Sequence, residues 1–167
     1  RDALPLYRRF LVDTPHYLEA HRAEAERRVL VAHAFVSGGT ASDSERPLAI
    51  GGAETVDASV FDGLTYVALG HLHRPQRVAS DRVQYAGSLL KYSASELDHA
   101  KSVNVVDIGA GGELAVERVP LVPRRDLRRV QGTIEALEAA GPQGNASDYV
   151  IATLLDKGAV YAAMPRV

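Results

Sequence analysis

Two histidines with one residue between them form the most chemically suggestive pattern in the sequence. They follow a short apolar run in segment 66–76, which reads YVALGHLHRPQ. Such a run is typical of a buried strand, and Gly70 ends it directly before His71 and His73. In extended backbone, residues i and i+2 point to the same side, so the pattern predicts two imidazoles that face one point. Imidazole pairs bind zinc, iron or manganese, usually together with carboxylates.

A third histidine interrupts a second apolar segment. Residues 29–36 read VLVAHAFV, which is typical of a strand buried on both faces of a layered α/β sheet. A buried imidazole needs a polar partner, and one interpretation is a neutral His33 that hydrogen-bonds to the backbone. The other is a metal ligand, because neighbouring strands would bring His33, His71 and His73 together. The residues alone leave both interpretations open.

The composition limits the kinds of site that the chain can build. Of its 167 residues, 46% are apolar and 24% are charged, an ordinary balance for one globular domain, or for one domain and part of a second. The absence of cysteine excludes disulfides and thiolate metal sites. The formal net charge of −2 excludes a globally basic nucleic-acid binder but not a local basic groove. No apolar run approaches the roughly 20 residues of a membrane span, so we expect no membrane association and a cytoplasmic location.

Further secondary structure is expected on both sides of the GHLH strand. The patterns predict an exposed helix, a helical turn and three more strands, at 15–28, 57–62, 82–86, 101–108 and 113–121. The glycines between the last two strands make a hairpin of that pair.

Two polar loops are suited to a site at strand ends. The loop at 37–52 carries three polar residues that either line such a site or simply keep the loop soluble, namely Asp43, Ser44 and Glu45. The loop at 88–100 offers polar groups that can contact phosphate, from Ser88, Lys91 and Tyr92.

The last part of the chain reads as the start of a second unit. Residues 121–125 contain Pro123 and two arginines and are the best candidate for a linker. The arginine-rich run PRRDLRR either follows a nucleic-acid backbone or is a solvated stretch between domains. Beyond it, a strand, a helix and a strand are expected at 127–131, 133–140 and 149–156.

In order and content, three motifs resemble the calcineurin-like metallophosphoesterases. They are VLVAHAFVSGG, YVALGHLHRPQ, and VQYAGSLLKYSASE followed by HAKSVNVVDI. The GHxH element marks the superfamily. The more specific elements DSERPLAIGG, GHLHRPQ and YAGS with a following SxSE resemble one branch, the SbcD-type bacterial nuclease subunits. The resemblance covers nearly the whole chain.

The resemblance implies a fold and a division of the chain. The fold class would be α/β, with part of a calcineurin-like metallophosphoesterase β-sandwich flanked by helices and then the beginning of a small α+β cap domain. Residues 1–122 would form the C-terminal half of the nuclease domain, and residues 123–167 the start of the cap domain.

The resemblance also implies an activity and its site. Relatives are metal-dependent DNA nucleases, with 3′–5′ exonuclease and endonuclease activity, that act in DNA repair, recombination and replication. Two divalent ions, usually manganese, would lie about 3.5–4 Å apart on the phosphodiester. By motif position, His33 and His71 would ligate one ion and His73 the other, while the substrate would contact the loop residues Ser88, Lys91 and Tyr92. The implied partners are DNA, an SbcC-type SMC-like ATPase that docks beyond residue 167, and a second copy in a homodimer.

The sequence departs from the family pattern in the early motifs. The Asp-x-His, GDxxD and GNH elements are absent from the 167 residues; they would supply a bridging carboxylate, an asparagine ligand and the catalytic histidine that protonates the leaving oxygen. Because three neutral imidazoles cannot balance two divalent cations, we expect those ligands upstream in a longer protein, and these residues alone to be inactive. Two alternatives need no upstream residues: a mononuclear zinc hydrolase with three histidine ligands, and a non-enzymatic binding module with structural histidines.

Overall fold

The computed structural model describes residues 27–45, 55–141 and 144–164. Within these ranges the chain forms eight strands and one α-helix, which are β1 (Val29–His33), β2 (Tyr66–Gly70), β3 (Gln76–Val78), β4 (Ser80–Tyr85), β5 (Ser102–Ile108), β6 (Leu114–Pro120), β7 (Leu127–Gly132), α1 (Ile134–Ala140) and β8 (Tyr149–Leu154). Short 3₁₀ turns lie at Ala58–Phe61 and Ala94–Glu96, the first of them where a helical turn was predicted. The helix expected over 15–28 lies outside the described residues, apart from its last two positions, which are not helical.

The largest sheet has four strands in the order β1-β2-β4-β3. Strands β1, β2 and β4 run parallel, and β3 pairs antiparallel with β4. The register of the first pair places His33 opposite Gly70. The expected adjacency of the two histidine-bearing strands is therefore confirmed, and both strands end at the same edge of the sheet. The mixture of sheets and helix agrees with the predicted α/β class.

The apolar core lies on one side of β1, not on both. Val29 is 53% exposed and Val31 is 79% exposed, whereas Leu30 and Ala32 pack against the buried cluster. The prediction that this strand is buried on both faces was wrong, because among the described residues the core covers only the face that carries Leu30 and Ala32. A run of apolar residues does not reveal which faces of a sheet are covered. His33 is likewise exposed in this structure, so burial imposes no partner on it.

A buried tyrosine fixes the chain just after His33. The hydroxyl of Tyr85 donates to the carbonyl oxygen of Ala34 at 2.7 Å and accepts from the backbone N–H of Val36 at 2.9 Å. Tyr85, Ala34 and Val36 are all 0% exposed. Because buried backbone groups need partners, this side chain from β4 holds the loop entrance beyond β1 in one conformation.

The remaining strands form two separate pairs, of which the hairpin was predicted. Strands β5 and β6 make an antiparallel hairpin from Ser102↔Pro120 to Ile108↔Leu114, and Gly112 (φ 85°) supplies the left-handed residue of its turn. Strands β7 and β8 pair in parallel with helix α1 between them. Thr133 caps that helix by accepting from the backbone N–H of Ala136. The division at residue 122 into nuclease and cap domains stays a prediction.

Among the described residues, no helix combines the length and the apolar character needed to cross a membrane.

Candidate functional site

The first feature of the candidate site is a pair of histidine rings at the ends of β1 and β2. The ring centroids of His33 and His71 lie 5.3 Å apart at an interplanar angle of 69°. Gly70 makes this approach possible, because a Cβ at that position would lie 3.0 Å from Nδ1 of His33. A larger residue at this position would press on the ring of His33, so the glycine of the GHLH motif gives that ring room.

The backbone at His71 differs from the expectation. We expected extended backbone through His71–Leu72–His73, but His71 has φ 107°, a region that side chains other than glycine rarely adopt. Leu72 is buried in the core at 1% exposure, and the ring of His71 lies against His33 and also Phe35, whose centroid is 6.0 Å away. Strained backbone of this kind is found mainly at functional sites.

The environment of His71 favours the neutral ring. Burial lowers its pKa, and the nearby ring of His33 lowers it further, against an opposing contribution from Glu45. A neutral imidazole has a lone pair on one nitrogen, which is the form that binds a metal ion.

His73 is held by a different set of residues. Its Nδ1 lies 2.9 Å from Oε1 of Glu96 and 2.9 Å from Oγ of Ser44. Its backbone N–H donates to Oε1 of Glu45 at 2.6 Å, and its carbonyl oxygen accepts from Nζ of Lys101 at 3.0 Å. Both the ring and the peptide of His73 are therefore fixed by hydrogen bonds.

The predicted loop at 37–52 contributes two of these residues. Burial alone would raise the pKa of Glu45, but hydrogen bonds from the side chain and backbone of Ser42 and from the backbone of His73 lower it, so the carboxylate is ionised. Asp43 donates through its backbone to Oγ of Ser95 at 3.1 Å. Ser44 and Glu45 thus lie at the candidate site, which was one of the two interpretations of this loop. Residues 46–52 of the loop lie outside the described ranges.

Glu96 and Lys101 form a buried ion pair behind His73. Nζ of Lys101 lies 2.6 Å from Oε2 of Glu96, and the two side chains are 4% and 0% exposed. Burial alone would raise the pKa of Glu96, but hydrogen bonds from Lys101, Ser44 and His73 and the charge of Lys101 lower it to about 2. Glu96 is therefore an anion at neutral pH, and it can only accept hydrogen bonds.

Sequence reasoning did not assign a role to this pair. The only signal was the SxSE motif, which ends at Glu96 and was used only as a family marker. Lys101 gave no signal of burial, because a lysine at the start of an alternating strand is usually solvated.

Of the three expected substrate-contact residues, Ser88 and Tyr92 lie beside His73, whereas Lys91 pairs with a residue elsewhere. Ser88 is part of the hydrogen-bond network, because its Oγ accepts from Nζ of Lys101 at 2.8 Å and donates to the carbonyl of Leu90 at 2.8 Å. Lys91 pairs with Asp126 at 3.0 Å. Tyr92 is 63% exposed, and its ring centroid lies 5.5 Å from that of His73. Of the three, Tyr92 presents its side chain to solvent beside a candidate ligand.

The donor set fits a metal centre only in part. Imidazoles from His33 and His71 are adjacent, and His73 has an ionised carboxylate on one ring nitrogen, an arrangement common for metal-binding histidines. Within residues 27–45, 55–141 and 144–164, however, no three histidine or acidic side chains are grouped closely enough to hold an ion by themselves. Any metal site built on these residues therefore needs further ligands.

Part of the chain is similar in sequence to a known nuclease subunit. Over 107 residues it is 43% identical to a protein of Staphylococcus epidermidis that is named as the SbcD subunit of the nuclease SbcCD, a match that covers 64% of this chain and 29% of that protein. The expected resemblance to SbcD-type nuclease subunits is confirmed. The chain spans less than a third of the length of this SbcD relative. No family model matches the chain.

Proposed function

We propose that this chain is part of an SbcD-type, metal-dependent DNA nuclease subunit that hydrolyses phosphodiesters. The observation that carries the proposal is the 43% identity to a nuclease subunit over 107 residues. At this level of identity, a shared fold and shared site residues are the expected consequence. Calcineurin-like metallophosphoesterase architecture, with a cap domain beginning near residue 123, belongs to the same proposal.

In this proposal, His33 and His71 hold one divalent ion and His73 the other, and manganese is the preferred metal. The support is geometric: the rings of His33 and His71 lie side by side, and His73 is bound through Nδ1 to an anionic carboxylate. When bound, the ions would supply the positive charge and the activated water that phosphodiester hydrolysis requires. Carboxylate and asparagine ligands from the remainder of a longer protein would complete the site.

The residues of the chain itself would position the ligands and the DNA. Glu45 and Lys101 fix the peptide of His73, and Glu96 fixes its ring. Tyr92 is exposed beside that ring and is suited to stack on a nucleotide base. Ser88 acts through Lys101 and Glu96, whereas Lys91 would have to leave Asp126 in order to contact phosphate.

The partners belong to the proposal as well. The name of the relative describes one component of a complex, SbcCD, so an SbcC-type ATPase is the proposed protein partner and DNA the proposed substrate. We also propose a homodimer within that complex, a role in repair, recombination and replication, and a cytoplasmic location, as in the SbcD-type subunits that the chain resembles.

The test uses the full-length protein that contains this chain. His33→Ala, His71→Ala and His73→Ala should each abolish manganese-dependent cleavage of linear DNA while the thermal unfolding temperature stays near that of the wild type. Asp81→Asn is the control, because the side chain of Asp81 is exposed and its carboxylate pairs with the exposed Arg77, away from the three histidines. Full cleavage by all three histidine variants would refute the proposal.

The three-histidine zinc hydrolase gains no support from the described residues, because no three potential ligands are grouped there. Metal analysis of the purified protein separates the two schemes, since one tightly bound zinc ion would favour that alternative. The binding module would be favoured if this chain captures the ATPase and if its histidine variants keep full function.

A further inference from the structure

The hydrogen bonds around His73 determine which ring nitrogen carries the proton. Two oxygen atoms, Oε1 of Glu96 and Oγ of Ser44, lie 2.9 Å from Nδ1. The carboxylate can only accept. Ser44 has a single hydroxyl proton, which it donates to the same carboxylate oxygen, so towards the imidazole it too can only accept. With acceptors on both sides, Nδ1 must be the protonated nitrogen.

The position of Glu96 is itself fixed by residues outside the candidate metal ligands. Its second oxygen, Oε2, accepts from Nζ of Lys101 at 2.6 Å. Lys101 also donates to Oγ of Ser88 and to the carbonyl of His73, so all three protons of its ammonium group have acceptors. The carboxylate cannot rotate away from His73 without breaking these bonds in a site closed to solvent.

We propose that Glu96, anchored by Lys101, is a positioning residue that keeps the proton of His73 on Nδ1 and so leaves Nε2 as the metal-binding atom. The inference rests on the proposed function, because it concerns the metal ligand of that site. It adds the ligating atom and the residue that selects it. A histidine free to exchange tautomers would place its lone pair on Nε2 only part of the time, and its ring could turn. The buried pair removes both kinds of freedom before a metal ion arrives.

The tautomer can be read directly in the full-length protein without metal. Long-range ¹H–¹⁵N spectra of histidine-labelled protein in EDTA separate protonated from unprotonated ring nitrogens. We expect His73, assigned from the signals lost in His73→Asn, to show a protonated Nδ1 and an unprotonated Nε2. The inference would be overturned if wild-type His73 carries its proton on Nε2, or if both tautomers are populated. This outcome is decisive without any result from the variants.

A pair of variants then tests the role of the carboxylate. Glu96→Gln removes the anion, and we expect mixed tautomers at His73 and manganese affinity reduced about 10- to 100-fold. Asp98→Asn is the matched control, because Asp98 is a carboxylate in the same loop that makes no contact with His73, and its loss should change neither readout. If Glu96→Gln fails to fold, Ser44→Ala, which removes one of the two acceptors, should still increase the exchange of the Nδ1 proton with solvent. An unchanged tautomer and affinity in a folded Glu96→Gln variant would contradict the inference.

The experiment separates this inference from the proposed function. If His73→Ala leaves manganese affinity intact while wild-type His73 carries its proton on Nδ1, the metal assignment fails and the tautomer assignment stands. If His73→Ala abolishes manganese binding while wild-type His73 carries its proton on Nε2, the tautomer assignment fails and the metal assignment stands.

Discussion

Nζ of Lys101 lies 2.6 Å from the carboxylate of Glu96, and both side chains are withdrawn from solvent. The pair joins the start of β5 to the loop that precedes it and lies directly behind His73. Buried ion pairs stabilise proteins little compared with apolar replacements, but removal of one partner leaves a buried charge without compensation. The pair therefore links the stability of the loop to the geometry of the candidate site.

The first prediction concerns this pair. Lys101→Met should lower the free energy of unfolding by about 3–5 kcal/mol, because Glu96 would remain as an uncompensated buried anion. The double variant Glu96→Gln/Lys101→Met should recover part of that loss. Urea denaturation of the four proteins measures the coupling between the two positions. Additive losses of stability would show that the two charges do not depend on one another.

The second prediction concerns acid stability. The pKa of Glu96 is lowered from 4.5 to about 2, so the folded state binds its proton more weakly than the unfolded state does. The corresponding stabilisation is fully present above pH 4.5 and is lost as the pH falls from about 4.5 towards 2, by about 3 kcal/mol for this group. Urea midpoints measured across this range should fall more steeply with pH in the wild type than in Glu96→Gln. Equal slopes would contradict the lowered pKa.

The third prediction concerns the glycine between the two histidine strands. In Gly70→Ala the new methyl group would lie 3.0 Å from Nδ1 of His33, so the ring of His33 should move away from His71 and manganese affinity should fall. Gly158→Ala is the matched control, because a Cβ there has no neighbour within 4 Å. Calorimetric titration of the full-length protein with manganese measures the affinity of each variant. Equal affinity in both variants would show that His33 does not need its present position.

The fourth prediction concerns Tyr85. Tyr85→Phe removes the hydroxyl that bonds to Ala34 and Val36, and the unfolding free energy should fall by about 1–3 kcal/mol, since two buried backbone groups lose a partner. Tyr161→Phe should have no effect, because Tyr161 is 86% exposed. Thermal and urea unfolding are the measurements. Unchanged stability in Tyr85→Phe would mean that the loop after β1 is held by other contacts.

Periodicity was sufficient to predict most of the strands. The adjacency of the two histidine strands was expected from their histidines and not from periodicity. The hairpin β5–β6 and the β7–α1–β8 unit follow from alternation, glycines and a helix cap, all of which are local signals. Which face of β1 is covered is not a local property, since it depends on what packs against the sheet, and so the burial of Val29 and Val31 was predicted wrongly.

The sequence pointed to the three histidines as candidate ligands, which stays a prediction, but not to the residues that hold them. The positive φ of His71 accompanies the burial of Leu72 in the core, and the spacing of the two histidines reveals neither. Glu96 and Lys101 meet Ser44 and His73 only through the tertiary fold, because the 3₁₀ turn at 94–96 brings the carboxylate back to the GHLH segment. A glutamate or lysine in a polar loop gives no sequence signal that its side chain is buried.

Anomalous diffraction from crystals of the full-length protein grown with manganese tests most directly whether His33, His71 and His73 are metal ligands. We expect two peaks at the carboxyl edge of β1 and β2, one within coordination distance of the rings of His33 and His71 and one within coordination distance of Nε2 of His73. Manganese bound elsewhere, with all three rings free of metal, would contradict the assignment of these histidines.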